Sequence, residues 1–353
     1  MTDQQPNDDH TLEVILAALS AILLATFLEA ETALIKTFAA MIAKYGVGDL
    51  LRFKLRRAAA ETSAGLASNT PALVERVITR AAQDGAAEGV IPKGLTPPRF
   101  FDETHAERSA RAIREDLLGK LNSLSVGITR FADDIYKSVA SDAALDQVQG
   151  LTPALSQAKA YKDLTRKGVE GFTDSRGRNW SLSAYVEMAV RTASQRAYNV
   201  SHLDRMQQAG VQYFTVSDDG HPCPLCAPWQ GEILTAGAPD EIAASTIEEA
   251  TAAGLFHPNC RHILVGYFPG VTEIPPPHVW SADDQAKYDE SQKQRALERG
   301  VRAAKRQLEG SYTPEQTTAA KFAVRQAQAN MRQFIDQTGR VRISRREQLN
   351  LGN

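Results

Sequence analysis

Cysteine is scarce in this chain, with three in 353 residues. So few thiols cannot build a disulfide framework, and an odd count would strand one of them in an oxidising compartment, so folding in a reducing compartment is predicted. Aromatic residues are also few, at 7%. Ala, Gln, Glu and Arg recur instead, a balance that favours helix over sheet. No excess of one charge marks the whole: 40 Lys plus Arg stand against 42 Asp plus Glu, a net of -2. No global field therefore draws the chain to nucleic acid or to a membrane surface, and a charged partner must be met locally. Long hydrophobic runs are missing as well. The most apolar stretch, residues 14–28, is bounded by Glu13, Glu29 and Glu31 and falls short of the roughly 20 residues a membrane span needs. Met1 to His10 holds Asp3, Asp8 and Asp9 and no Lys or Arg, unlike a secretory leader or a cation-flanked anchor. The expectation is a helix buried in the fold or facing another protein, ahead of membrane contact by this apolar N-terminal helix.

With 43% hydrophobic residues the chain can bury a sizeable core. The apolar first helix should run to about Tyr45, before Gly46, and the basic stretch 50–57 opens a second helix. Gly89, Pro92, Gly94, Pro97 and Pro98 predict a linker. Leu117, Leu121, Leu124, Ile128, Phe131 and Ile135 are spaced alternately four and three residues apart, the seam of a helix packed along another helix. A further helix is expected over 153–167, a tight turn or hairpin over 171–180, and a strong helix over 181–208 stopped by Gly210. The period then changes. Residues 211–216, 231–234 and 263–268 are short β-branched or aromatic runs between Gly, Pro, Asp and His, which predicts a small antiparallel sheet. Pro275 to Pro277 reads as a stiff linker, and two more helices follow over 283–309 and 314–337. The fold class is mostly α with a small central α+β module. Four regions result: 1–90, helical with the apolar first helix; 100–170, built on the long helix; 171–275, the α+β module; and 276–353, basic and helical.

All three cysteines and three of the seven histidines lie between residues 221 and 262, in His221-Pro-Cys223-Pro-Leu-Cys226 and His257-Pro-Asn-Cys260-Arg-His262. Zinc takes four thiolate or imidazole ligands in a tetrahedron, and two short pairs can supply them from two turns. The expected set is Cys223, Cys226, His257 and Cys260, with His262 as the alternate ligand. A filled tetrahedron leaves no position for water, so such a site staples a small sheet and hydrolyses nothing. No phosphate-cradling glycine loop, no Gly-x-Ser-x-Gly and no His-Glu-x-x-His is present.

The ordered series Gly177-Arg-Asn-Trp180, Tyr185, Val190-Arg-Thr192, Arg196-Ala-Tyr-Asn199, Cys223-Pro-Leu-Cys226, Trp229-Gln-Gly231, Gly254-Leu-Phe-His-Pro-Asn-Cys-Arg-His262 and Tyr267-Phe-Pro-Gly270 resembles the tailed-phage minor capsid protein type 2 family, related to the Mu protein F-like head morphogenesis proteins. The resemblance covers roughly residues 100–345. It implies a virion component in the head interior or portal region, made in the bacterial host cytoplasm. Its partners would be the phage portal and other capsid proteins, its role head assembly, DNA packaging or DNA delivery, and it implies no catalysis. Charge segregation is compatible with this. Residues 287–353 hold 14 Lys plus Arg and 7 Asp plus Glu, so the basic C-terminal region could touch packaged DNA through its phosphates without reading sequence. Two rivals remain: a zinc-ribbon enzyme of the HNH-nuclease type, with His221, Asn259 and His262 around a second metal, and a DNA-binding accessory protein.

Overall fold

The computed structural model describes residues 8–87, 103–148, 164, 169–173, 179–218, 223–274, 276, 278–311 and 313–349. The expected linker around Gly89 to Pro98, most of the expected helix 153–167, and His221, Pro275 and Pro277 lie outside them. The described part is mainly helical: α1 (Asp8–Tyr45), α2 (Asp49–Ala87), α3 (Glu103–Val148), α4 (Leu182–Gln208), α5 (Ile247–Ala252), α6 (Ala282–Glu309) and α7 (Pro314–Thr338). Six short strands accompany them: β1 (Glu170–Thr173), β2 (Asn179–Ser181), β3 (Tyr213–Val216), β4 (Leu234–Thr235), β5 (Ser245–Thr246) and β6 (Leu264–Tyr267). The chain groups into two compact units, each made of three separated stretches. The first comprises residues 1–20, 73–117 and 188–291; the second comprises 21–72, 118–187 and 292–353.

The second unit is organised by long helices. α1 stops where Gly46 turns left-handed at φ 65°, a conformation a residue without Cβ enters at no steric cost. Within the apolar run Leu23, Phe27 and Leu28 are buried, as are Leu34, Ile35, Phe38 and Ile42 farther along the helix. No described helix is long and apolar enough to cross a membrane. The α3 seam is buried at Leu117, Leu121, Leu124, Ile128 and Phe131. In this unit Phe131 stacks on Phe38 of α1, with ring centroids 6.0 Å apart. Arg56 of α2 forks onto Asp133 of α3 through two 2.7 Å hydrogen bonds. Those bonds hold the Asp133 carboxyl below its ordinary range, yet the pair is open to solvent, which screens it. The helices are held by apolar burial, not by this charge pair. Pro71 sits inside α2, where it removes one backbone donor; the buried Thr70 hydroxyl donates to the Leu66 carbonyl at 2.6 Å beside it.

β1 and β2 form the expected hairpin, antiparallel with Thr173 opposite Asn179. The buried Glu31 of α1 accepts the Val169 backbone N–H at 3.0 Å just before it. At the far end of the chain, residues 340–348 strap onto α6. Arg302 donates to the Arg346 carbonyl at 2.5 Å, Gln294 to the Val341 carbonyl at 2.9 Å, and Lys305 to Gln348 at 2.5 Å. Arg342 holds the buried Glu347 with two 2.6 Å bonds. Much of the basic C-terminal charge is thus spent on the chain itself, because Arg302 and Glu347 are buried and a buried charge must be paired.

The first unit holds the sheet, ordered β5-β4-β3-β6. β3 pairs antiparallel with β4 and β6, but β4 and β5 run parallel. The sheet is therefore mixed and not purely antiparallel as the sequence led us to expect. The polar dipeptide Ser245-Thr246 gives no strand signal of its own; it pairs because the chain re-enters alongside β4 before α5. Thr246 then caps α5 in a reciprocal box, accepting the Glu249 N–H at 3.0 Å while its own N–H donates to the Glu249 carboxylate at 2.8 Å, which supplies two orphan donors of the helix start. Phe214 and Val216 point into the core on alternate positions of β3. Opposite Phe214 stands Gly266; a Cβ there would meet the Met206 methyl at 2.5 Å, so glycine lets α4 pack close on the sheet.

Candidate metal centre

Each half of the centre is one four-residue turn. In the first, the Cys226 N–H donates to the Cys223 carbonyl at 3.1 Å; in the second, the Cys260 N–H donates to the His257 carbonyl at 2.9 Å. Pro224 and Pro258 each follow the first residue of a turn and fix φ near the value a turn needs there. The second turn is preceded by left-handed backbone at Phe256 (φ 57°) and has it again at its third residue, Asn259 (φ 68°), whose N–H is held by the Thr192 hydroxyl of α4 at 3.3 Å. The two turns carry the same hydrogen bond between first and fourth residues. Both present their potential ligands inward.

The structure brings the five sequence-predicted residues into two overlapping groups that share Cys226. The donor atoms of Cys223, Cys226 and His257 lie within 4.8 Å of one another, and so do those of Cys226, Cys260 and His262. The Cys226 and Cys260 sulfurs are 3.7 Å apart. A tetrahedron of zinc–sulfur bonds of about 2.3 Å has sulfur–sulfur edges of about 3.8 Å, so this edge fits zinc. It is also too long for a disulfide, which needs about 2.05 Å. Cys223 Sγ lies 3.0 Å from His257 Nε2.

The two histidines are set up differently. His257 Nδ1 is 2.9 Å from the Pro258 carbonyl, which can only accept, so Nδ1 carries a proton, and Nε2 is the ring atom that faces Cys223. A backbone carbonyl on the far nitrogen is the usual orienting contact of a metal-ligating imidazole. His262 is buried; its Nδ1 lies 3.5 Å from Cys260 Sγ and its Nε2 lies 3.2 Å from Gln230 Nε2. Gln230 Nε2 also donates to the Ser217 carbonyl at 3.4 Å, which fixes the amide with its nitrogen toward His262. His262 Nε2 therefore accepts, Nδ1 bears the proton, and that proton points at the Cys260 sulfur. Gln195 and Asn199 of α4 clamp the His262 carbonyl at 3.1 and 3.3 Å.

The thiols are electrostatically unequal. Cys223 is pushed down to about 3, first by its hydrogen bond with Cys226 and then by His257, against the opposing effect of burial. Cys260 is pushed down to about 5, by Cys226 first and with help from His262, again against burial. Cys226 between them is driven up, first by its hydrogen bonds with Cys223 and Cys260, then by burial and the charge of its two neighbours. His257 is raised, chiefly by Cys223. Three thiols and two imidazoles grouped in this way offer ligand atoms for a cation. The surroundings are apolar: Cys226 and Cys260 belong to a buried cluster with Val216, Leu234, Ala250 and Leu255, against which Trp229 and Phe256 pack.

Of the residues expected around a second metal, Asn259 and His262 are described. His221 lies outside the described residues, His262 is turned onto Cys260 and Gln230, and among the described residues no carboxylate joins either ligand group. Sequence reasoning missed Gln230, Gln195 and Asn199 as supports. Gln230 and Asn199 stand within the motifs Trp229-Gln-Gly231 and Arg196-Ala-Tyr-Asn199, but nothing local to those motifs says that they meet His262.

Comparison with known proteins gives the following. The family described as Phage minor capsid protein 2 matches residues 55–336. A "Structural protein" of Lactococcus phage LL-H is 26% identical over 215 residues, an alignment covering 58% of this chain and 58% of that protein. No solved structure matches.

Proposed function

Because the chain belongs to the phage minor capsid protein 2 family, being matched from residue 55 to 336, we propose that it is a minor component of the virion which joins the portal region or procapsid interior and supports head assembly, DNA packaging or DNA delivery. The match to a phage structural protein supports a particle role. Within that role the Cys/His centre is a structural zinc clasp held by Cys223, Cys226, His257 and Cys260. The observation that carries this is the pair of equivalent turns converging with a 3.7 Å sulfur–sulfur edge. His262 does not ligate in this reading: it donates its Nδ1–H to the Cys260 sulfur and tempers the charge of three thiolates. When bound, zinc supplies cross-linking of the two turns, and four protein ligands leave no position for water, so the centre is assigned no catalysis. The basic C-terminal region adds non-specific contact with packaged DNA.

Mass spectrometry and metal analysis of purified DNA-filled particles of the phage that encodes the chain test this reading. The expected result is the protein at low copy, with about one zinc per chain in the purified recombinant protein. Its absence from particles overturns the virion assignment; metal-free protein with Cys223→Ser melting like wild type overturns the clasp.

A further inference from the structure

The basic C-terminal region divides into two populations of cations. Arg302, Lys305, Arg340 and Arg342 are engaged in the strap described above. On α7 the situation is the reverse. Lys321, Arg325 and Arg332 are exposed, and among the described residues none of them has an ion-pair or hydrogen-bond partner. Offsets of four and seven residues put the three within about 40° of one line along the helix, over a length of about 16 Å. The helix is firmly delimited, since the Thr313 hydroxyl accepts the Gln316 N–H, Pro314 opens the first turn and Gly339 is left-handed at φ 67°. Ala320, Met331 and Phe334 fix its buried side. From residue 316 to 335 there is no Asp or Glu; the acids Glu315 and Asp336 stand only at the two ends. Phe322, 62% exposed, lies about 100° round from Lys321 and so off the line.

We propose that this face of α7 is the surface that lies against duplex DNA, with Lys321, Arg325 and Arg332 each neutralising a phosphate. The proposal rests on the DNA-contact reading above and narrows it to three residues. A protein partner chosen by charge is discriminated by interspersed opposite and like charges, whereas a single-sign line free of carboxylates suits a uniform polyanion. Duplex DNA offers one negative charge per roughly 1.7 Å of axis, so a 16 Å line meets phosphates wherever it lands and reads no sequence. Outside residues 287–353 the chain holds 26 Lys plus Arg against 35 Asp plus Glu, an excess of negative charge that disfavours DNA on other faces.

The test uses the full chain with a mixed-sequence 30-base-pair duplex, binding being followed by fluorescence anisotropy across a salt series. Three proteins are compared: wild type, K321Q/R325Q/R332Q, and a control with the same charge change elsewhere in the region, K287Q/R299Q/R345Q. Thermal melting establishes that each is folded. Three lost phosphate contacts should flatten the slope of log K against log salt by about 2.7, while the control keeps the wild-type slope. Equal losses in both variants overturn the assignment to α7 and leave the wider DNA reading standing. No wild-type binding at low salt overturns both. Binding of poly-glutamate, lost in K321Q/R325Q/R332Q, together with no binding of DNA, makes the stripe a seat for an acidic protein and likewise overturns the proposal.

Discussion

The two units differ in what resists their unfolding. In the stretches 21–72, 118–187 and 292–353, long helices bury leucines, isoleucines and phenylalanines against one another, and Phe38 stacks on Phe131. Around the Cys/His centre the strands of the sheet are two to four residues long. The adjoining cluster is small and counts two cysteines among its six buried members. Short strands closed over so little apolar surface are marginal without a cross-link. Stability in the first case is spread over many contacts, so no single residue is decisive; in the second it is concentrated at one centre.

The largest expected effect sharpens that contrast. Cys260→Ser removes a proposed ligand whose sulfur touches both Cys226 and His262, and on the clasp reading the local fold around β3, β4 and β6 should open, a loss of several kcal/mol given that structural zinc contributes on the order of 10 kcal/mol in small domains. Hydrogen exchange should show residues 211–267 deprotected while α1 to α3 stay protected between residues 21 and 72 and between 118 and 148; uniform protection in both places would break the comparison. Leu124→Ala should cost about 2–5 kcal/mol through the cavity left in the helical seam, seen as a lower melting temperature with zinc content unchanged. A drop in bound zinc in that variant would mean the units are not held independently.

The smallest effect concerns pH. His202 on α4 is buried, with its ring stacked 5.9 Å from that of Tyr198, and burial pushes its pKa below the ordinary value, the backbone of Gly85 and Leu264 opposing in part. The native state then binds fewer protons than the unfolded chain at pH values just below about 6.5. Stability should therefore fall on acidification through that window by about 1.4 kcal/mol per pH unit and level off below the depressed native pKa. Subtracting the denaturation profile of His202→Gln from that of wild type isolates this slope; parallel profiles would show that His202 does not titrate as its burial requires.

How much could be read in advance depended on the range of the interaction. The seam of α3 followed from alternate steps of four and three, since a helix's own period decides which side chains share a face. The start of α7 at Pro314 was visible because a proline at the first helical position is local chemistry, whereas the Thr313 cap and the Gly339 stop came only with the structure. The two turns of the candidate centre were legible for the same reason: potential ligands with two residues between them are delivered by one turn. By contrast β5 is two polar residues with no pattern, and its parallel pairing to β4 arises only when distant chain returns to that edge. His262 could not be separated from His257 by spacing. In the structure the two rings meet different partners, the Pro258 carbonyl for His257 and Gln230, thirty-two residues away, for His262.

The basic tail illustrates the same divide. Its composition determined that positive charge is concentrated after residue 287, and nothing about folding could alter that sum. Which cations face water was settled by packing alone, since Arg302 and Arg342 were drawn onto the chain's own acceptors, while Lys321, Arg325 and Arg332 were left outside. Sequence by itself fixed the helices, their stops, the family motifs and the kinds of ligand atom available, because each of these depends on neighbours within a turn or two. Tertiary structure decided the interleaving of the two units, the sheet order and the partner of every imidazole nitrogen at the metal centre, because a hydrogen bond or a buried charge is satisfied by whatever group folding brings near, however far away it stands in the chain.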